Sequence, residues 1–321
     1  MSLRIVVVGT GFGKRTVAPI YKSLGCEVEV VSPHDGKAVK AAIETPCDLV
    51  SIHSPPFLHL EHVRLATAIG RHVLCDKPFG CNAAEASEML DLATRAGVLH
   101  LLDFEFRSHP VHIKAKEMLD RGAIGAPLHA TWTTFLSYGR QMPFRWLHEK
   151  DKGGGWVGAF GSHAVDFFRW LFGDVAAAGG QLRTDMKKRR DRDASSDRLH
   201  PCTADDAFTA WLRMENGVTV TIDSGYSTGA TFPQQVKILG SEGALQINEM
   251  SELLVIRPGR ETERHASPPN EAGADPHQPA IGLWLAKVCD AVAQRRQITP
   301  DFKEGLACVK VLDMLRADNI S

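Results

Sequence analysis

Apolar positions in the first hundred residues come in short runs separated by longer segments of mixed polarity. The first run, Arg4-Ile5-Val6-Val7-Val8, is β-branched, too short for a helix, and ends abruptly in glycines. It predicts a buried strand that turns into a helix over about Arg15 to Leu24. The same rhythm continues with a strand Val28 to Val31, a helix near Lys37 to Thr45 and a strand Asp48 to Ser54. After these come a helix Leu58 to Ile69, a strand His72 to Cys75, a helix Ala83 to Ala96 and a strand Val98 to Phe104. Strands alternating with helices in this way predict a parallel sheet covered on both faces.

From about Leu128 the period becomes two. Leu128, Ala130, Trp132, Thr134 and Leu136 alternate with His129, Thr131, Thr133 and Phe135. Phe208, Ala210, Leu212 and Met214 then meet Val218, Val220 and Ile222 across Glu215-Asn216-Gly217, a hairpin signal. Further strands at Gln235 to Leu239, Ala244 to Ile247 and Leu253 to Arg257 predict a largely antiparallel open sheet. Helices at Val111 to Arg121, His163 to Leu171, Ile281 to Gln294 and Lys303 to Arg316 should cover mainly one face. The other face, rich in threonine and carrying Trp211, meets either solvent or another subunit. Lys187 to Asp197, a charge run, and Arg260 to Pro279, rich in proline, glycine and charge, read as loops. The expected class is α/β followed by α+β, with domains at 1–120 and 121–321.

Composition agrees with two domains: 321 residues with 44% apolar content are enough for more than one core. A net charge of −1 weighs against a nucleic-acid or membrane-surface partner. The first strand starts within a few residues of Met1, which leaves no room for a signal peptide. No apolar run approaches the roughly 20 residues that span a bilayer, so the expected setting is cytoplasmic. Seven dispersed cysteines without CxxC spacing read as reduced thiols. His59-Leu60-Glu61-His62 and His109-Pro110-Val111-His112 lack i, i+4 geometry and a ligand partner at suitable spacing, so no metal is expected.

The chemistry begins at Gly9-Thr10-Gly11-Phe12-Gly13, a Rossmann-type glycine turn between strand and helix. The first glycine permits a tight turn, and the second lets the backbone approach a pyrophosphate held at the helix amino terminus. The pattern is GxGxG; the sixth position falls on Lys14, which with Arg15 adds positive charge near the phosphates. Where an acid normally binds the ribose hydroxyl, the chain has Ser32-Pro33-His34-Asp35. Ser32 and His34 tolerate a 2′-phosphate, whereas Asp35, slightly late, serves NAD, so NAD and NADP both stay open.

Cys75-Asp76-Lys77-Pro78 follows a strand end, the place where ligands bind in such sheets. An ammonium there can hold a substrate oxygen and stabilise the charge that grows as a hydride moves. With an unperturbed pKa of about 10.4, lysine is a poor base unless burial lowers it. His163, after Gly153-Gly154-Gly155, is the better proton carrier, because an imidazole near pKa 6.5 exchanges protons at neutral pH. Asp166, one turn further on, either orients that ring or pairs locally.

These landmarks, with Ser54-Pro55-Pro56-Phe57-Leu58-His59 and Arg107, fall in one order along the chain. That order resembles the glucose-fructose oxidoreductase, inositol dehydrogenase and rhizopine catabolism (Gfo/Idh/MocA) family over nearly the whole length. The Ser54 segment is similar to the family's TPxxxH element, and Cys75-Asp76-Lys77-Pro78 to its EKP motif, whose proline often follows a cis bond. The resemblance implies a Rossmann domain holding NAD or NADP through Gly9, Thr10, Gly11, Phe12, Gly13, Ser32, His34, Ser54, Pro55, His59, Asp76 and Lys77. It implies catalysis by Lys77 and His163, and a sugar or cyclitol lying against Lys77, Arg107, Trp146, His163 and Asp166. It also implies a homodimer or homotetramer formed through the second sheet. One departure stands out: polyol-oxidising members have an aspartate four residues before the histidine, and here that residue is Ala159. Either the substrate sits differently or another acid, such as Asp151, substitutes; Arg145 is a further pocket candidate. Besides a dehydrogenase, the family pattern admits a non-catalytic dinucleotide-binding regulator and a redox-assisted glycoside hydrolase with tightly held NAD.

Overall fold

The computed structural model describes residues 2–193, 195–267 and 278–317. Packing divides the chain into two compact units, Met1–Ser108 with Ala272–Lys310, and His109–Glu271 with Val311–Ser321.

The first unit contains strands β1 (Arg4–Val8), β2 (Glu27–Val31), β3 (Leu49–Ile52), β4 (His72–Cys75) and β5 (His100–Leu102). They form one sheet in the order β2-β1-β3-β4-β5 with parallel neighbours, as the β-α-β rhythm predicts. Helices α1 (Ala18–Ser23), α2 (Gly36–Glu44), α3 (His59–Ala68) and α4 (Ala83–Ala96) connect them, α1 being preceded by a π-turn at Gly13–Val17. Local chemistry sets the helix ends: Asp35 caps α2 and Asn82 caps α4 through side-chain oxygens, and Gly97 ends α4 in the left-handed region.

Chain order alone assigned residues 278–293 to the second domain, but packing groups them with the first. Within helix α7 (Gln278–Ala293), Ile281, Trp284, Leu285, Val288 and Val292 bury together with Ile5, Val7, Tyr21, Leu49, Leu74 and Leu101. Those sheet residues need an apolar cover, and α7 supplies it.

The second unit is built on an eight-stranded sheet. Its helices are α5 (Pro110–Asp120) and α6 (Ser162–Phe172), and its strands run from β6 (Pro127–Phe135) and β7 (Val175–Arg183) to β15 (Glu263–Ala266). Between these lie β8 (Lys188–Arg190), β9 (Leu199–Pro201), β10 (Ala207–Met214), β11 (Thr219–Gly225), β12 (Phe232–Gly240), β13 (Ala244–Asn248) and β14 (Glu252–Ile256). The order is β15-β14-β13-β12-β6-β11-β10-β7, antiparallel except for the β6–β11 pair. Helix α8 (Phe302–Ala317) closes the described chain.

Alternation places Ala130, Trp132 and Thr134 of β6 on the buried face, where Trp132 meets Phe160, Phe167 and Phe168 edge-on at 5.7, 5.2 and 5.9 Å. The opposite face stays open, with Trp211 47% and Leu239 43% exposed.

Two loop expectations are corrected. Within Lys187 to Asp197, Lys188–Arg190 pairs with Leu199–Pro201 as a small ribbon, and Arg189 is buried rather than solvated. Its guanidinium pairs with Asp206 at 3.5 Å, donates to Ser227 Oγ at 2.8 Å and to the Gly139 carbonyl, and lies over the Tyr226 ring. A buried charge persists only with such partners, which lie far away in sequence. Within Arg260 to Pro279, Glu263–Ala266 adds an edge strand and α7 already begins at Gln278, while 268–277 lie outside the described residues. No helix among the described residues is long and apolar enough to cross a membrane.

Candidate functional site

The carboxyl ends of the parallel strands form a row in which each ladder continues one residue beyond its strand. Gly9 N–H donates to Val31 O, His53 to Val8 O, Asp76 to Ile52 O and Asp103 to Cys75 O, at 2.8 to 3.1 Å. Gly9, His53, Asp76 and Asp103 therefore stand side by side where an open α/β sheet binds ligands.

The glycine turn has the shape a dinucleotide requires. A Cβ on Gly9 would lie 2.6 Å from the His53 carbonyl oxygen, so this corner admits only glycine. A Cβ on Gly13 would press on Val7 Cγ1 and His53 Cβ, each at 3.1 Å, so helix and strand approach closely there. A Cβ on Gly11 would meet nothing within 4 Å, and Thr10 and Gly11 are exposed. Gly11 thus fronts open space at a helix start, where a pyrophosphate fits against backbone N–H groups. Beyond β2, Ser32 Oγ accepts from His34 N–H at 3.4 Å, and His34 is exposed. The Asp35 carboxylate is occupied as the α2 cap, accepting from Ala38 N–H at 3.0 Å.

In the Ser54 segment the histidines brace the backbone. His59 is fully buried, and its Nε2 bonds the Ser54 carbonyl at 2.8 Å; Ser54 Oγ bonds His62 Nδ1 at 3.1 Å. Burial drives both imidazoles down to about pKa 4, so they stay neutral. His59 therefore shapes the turn from inside, while Pro55 is half-buried.

The Lys77–Pro78 peptide bond is cis, and Lys77 is half-buried. Asp76 Oδ1 accepts the Lys77 backbone N–H at 2.8 Å, while its Oδ2 lies 3.4 Å from His53 Nδ1. Asp103 Oδ2 is 3.9 Å from the same nitrogen, and neither contact is aligned as a hydrogen bond. Burial pushes the Asp76 carboxyl up, but contact with His53 and the charges of His53 and Lys77 outweigh it and hold Asp76 below the usual carboxylate range. Asp103 goes the opposite way: burial, then Glu105 and Asp76, raise it well above that range. The ligand-type atoms of His53, Asp76 and Asp103 lie within 4.8 Å of one another, close enough to share a small cation. Arg107 lies on the short turn Glu105–Ser108 after β5 and is half-buried.

In the second unit, His163 and Asp166 are buried near the start of α6, directly after a π-turn at Val157–Gly161. The glycine triplet makes that turn possible. A Cβ on Gly154 would strike the carbonyls of Trp146, Leu147 and Glu149, and Gly155, at φ +115°, leaves room for Asp205. Asp205 Oδ2 accepts the Val157 N–H at 2.7 Å, and burial lifts its carboxyl to about 6. Ala159 is half-buried within the π-turn, with its N–H on Gly155 O at 3.0 Å. Trp146 is half-buried on a short turn, Arg145 is exposed, and Asp151 lines an open cavity of about 310 Å³ with Phe144, Glu149, His200, Pro201 and Thr203.

Sequence reasoning overlooked His53, Asp103 and Asp205. The first two carry a readable signal, since each directly follows the last apolar residue of its strand, Ile52 or Leu102. Their meeting depends on strand order, which periodicity does not supply.

A Rossmann-type sheet with an open glycine turn, joined in one chain to a mostly antiparallel sheet unit, defines a two-unit protein built to hold a dinucleotide. The model for the oxidoreductase family with an NAD-binding Rossmann fold matches residues 3–104, and that for the GFO/IDH/MocA C-terminal domain matches 112–246. The chain belongs to the Gfo/Idh/MocA family of NAD-binding oxidoreductases. It is 28% identical over 264 residues to an uncharacterized oxidoreductase of Synechocystis, covering 76% of this chain and 71% of that protein. To the levoglucosan dehydrogenase of Pseudarthrobacter phenanthrenivorans it is 25% identical over 302 residues, covering 83% and 76%. A solved levoglucosan dehydrogenase in complex with NADH and L-sorbose superposes with a TM-score of 0.87 at 21% identity, covering 99% of this chain and 97% of that one.

Proposed function

We propose that this enzyme moves a hydride between the nicotinamide and a hydroxyl- or carbonyl-bearing carbon of a sugar, cyclitol or related derivative. The observation that carries the reading is the strand-end row, where Lys77 follows a braced carboxylate on the same sheet crest as the open Gly11 turn. The sugar class is supported by the relative named for levoglucosan.

In this reading Gly9, Thr10, Gly11, Phe12 and Gly13 cradle the pyrophosphate, and Ser32, His34, Ser54, Pro55 and Asp76 border the ribose and nicotinamide. The bound nicotinamide supplies the hydride acceptor or donor. The Lys77 ammonium holds the substrate oxygen and offsets its growing negative charge. His163 takes the hydroxyl proton in oxidation and returns it in reduction. Asp166 orients the imidazole, and Arg107 and Trp146 border the substrate. Two further readings stay in the test: a non-catalytic regulator, which Ala159 in place of an acid would suit, and redox-assisted glycoside cleavage. A cytoplasmic setting, in which dispersed cysteines stay reduced, fits this reading. The open face carrying Trp211 supports a homodimer or homotetramer.

The test is a screen of levoglucosan, aldoses and inositols with NAD and NADP, followed by Lys77→Ala and His163→Ala. Each variant should lose roughly two orders of magnitude or more in turnover. Near-normal turnover in both sinks the assignment. Cofactor binding without any reduction points to the regulator, and release of an aglycone without net NADH points to glycoside cleavage.

A further inference from the structure

His53, like Asp103, is a member of the strand-end row to which the functional reading gives no task. Its side chain joins a chain of buried polar contacts. Tyr21 Oη lies 3.2 Å from Ser51 Oγ, and Ser51 Oγ lies 2.8 Å from His53 Nε2. His53 Nδ1 then faces Asp76 Oδ2 at 3.4 Å and Asp103 Oδ2 at 3.9 Å. The serine-histidine-aspartate order is that of a hydrolytic triad, but Ser51 is fully buried inside β3, out of reach of any substrate.

When Ser51 donates to Nε2, the neutral imidazole carries its proton on Nδ1, the nitrogen that faces Asp76 Oδ2. The reverse tautomer would aim a lone pair at the Asp76 carboxylate. The Asp76 side chain is only 17% exposed and needs a partner for each oxygen. One oxygen takes the Lys77 N–H at 2.8 Å, and the other looks at His53.

We propose that His53 is a positioning residue for Lys77: its Nδ1 edge, in polar contact with Asp76 Oδ2 at 3.4 Å, keeps that carboxylate turned inward, and Asp76 fixes the backbone of the Lys77–Pro78 turn. The inference rests on the role given to Lys77 above. The ionisable groups facing Asp76 are His53 beyond β3, His59 on α3, Lys77 on its own turn, and Asp103 beyond β5 with Glu105 behind it. Of these, His53 comes within 3.4 Å of the second Asp76 oxygen. Without it that oxygen loses its polar contact, the carboxylate turns toward water, and the Lys77 N–H is released.

Hydrogen–deuterium exchange on the full-length enzyme, resolved to the Lys77 amide, reads this directly and needs no substrate. His53→Phe and His53→Leu fill the space without a donor; both are made, so that one misfolded variant leaves the other. His53→Asn keeps a donor near the place of Nδ1, and Asp76→Ala sets the scale of full release.

The Lys77 amide should exchange about tenfold or more faster in His53→Phe, His53→Leu and Asp76→Ala, stay close to wild type in His53→Asn, and leave the amides of Val73, Leu74 and Cys75 unchanged. With a sugar that passes the screen, the Phe and Leu variants should lose about tenfold in kcat with KM nearly constant. A wild-type Lys77 amide in both of these variants overturns the proposal. So does acceleration spread evenly over β4, or a stoichiometric divalent metal in the purified enzyme that disappears from His53→Leu. Full turnover in Lys77→Ala would end the catalytic reading while leaving the exchange result standing, which separates the two failures.

Discussion

Gly9 and Gly11 lie two residues apart in the same turn, yet alanine at the two positions should have opposite consequences. At Gly11 the added methyl meets nothing within 4 Å, and the backbone is outside the left-handed region. Stability should hold or rise by about 0.4–1 kcal/mol, because alanine restricts the unfolded chain. The methyl would instead occupy the space into which a pyrophosphate must come to reach the backbone N–H groups. Hydrogen bonds to a charged group contribute about 1.5–3 kcal/mol each, so losing one weakens NADH binding about 10- to 100-fold.

At Gly9 the Cβ would stand 2.6 Å from the His53 carbonyl oxygen and 3.0 Å from its carbon. Both are backbone atoms inside a parallel sheet and cannot swing aside. Overpacking of this kind costs about 1–3 kcal/mol, and each kcal/mol lowers Tm by about 2–4 °C in a domain of 150–250 residues, a drop of roughly 2–12 °C. Thermal unfolding followed by circular dichroism, with NADH fluorescence titration on the same samples, separates the two effects. A Gly11→Ala protein that binds NADH like wild type would refute Gly11 as the point of approach. A Gly9→Ala protein with unchanged Tm would refute the steric wall at His53.

Two further outcomes follow from burial. His59, His62 and His109 are driven to about pKa 4 and His148 to about 3, each primarily by desolvation. The folded state refuses the proton that the unfolded chain accepts near 6.5, so this stability is complete above about pH 6.5 and drains away as pH falls toward 4. Each histidine loses about 1.4 kcal/mol per pH unit inside that window, and urea midpoints that stay level from pH 7 to pH 5 would contradict the assignment. For the proposed oligomer, Trp211→Glu on the open sheet face should give monomers by light scattering at micromolar concentration, with Tm of the monomer nearly unchanged; a monomeric wild type would rule the interface out.

Periodicity revealed the two sheets because each reports its own burial. The buried runs of β1 and β3 and the alternation of β10 and β11 are local, and the structure shows them where local reasoning places them. Strand β7 was not visible in the same way. Its Val-Ala-Ala-Ala-Gly-Gly core has little β-propensity and is drawn into the sheet by pairing with β10, where a Cβ on Gly180 would strike the Thr209 carbonyl. The ribbon around Arg189 depends likewise on Asp206, Ser227 and Tyr226, none of them near in sequence.

The candidate site divides along the same line. Gly11 and Lys77 could be picked out because turn geometry and strand-end placement are properties of a few consecutive residues. The structure adds what surrounds them: Gly9 is obliged to be glycine by the backbone of His53, and the Lys77 turn is tied to Asp76. His53 is common to both. It walls the corner of the glycine turn and faces the carboxylate behind Lys77, so a residue with no motif of its own links the two motifs that the sequence displays.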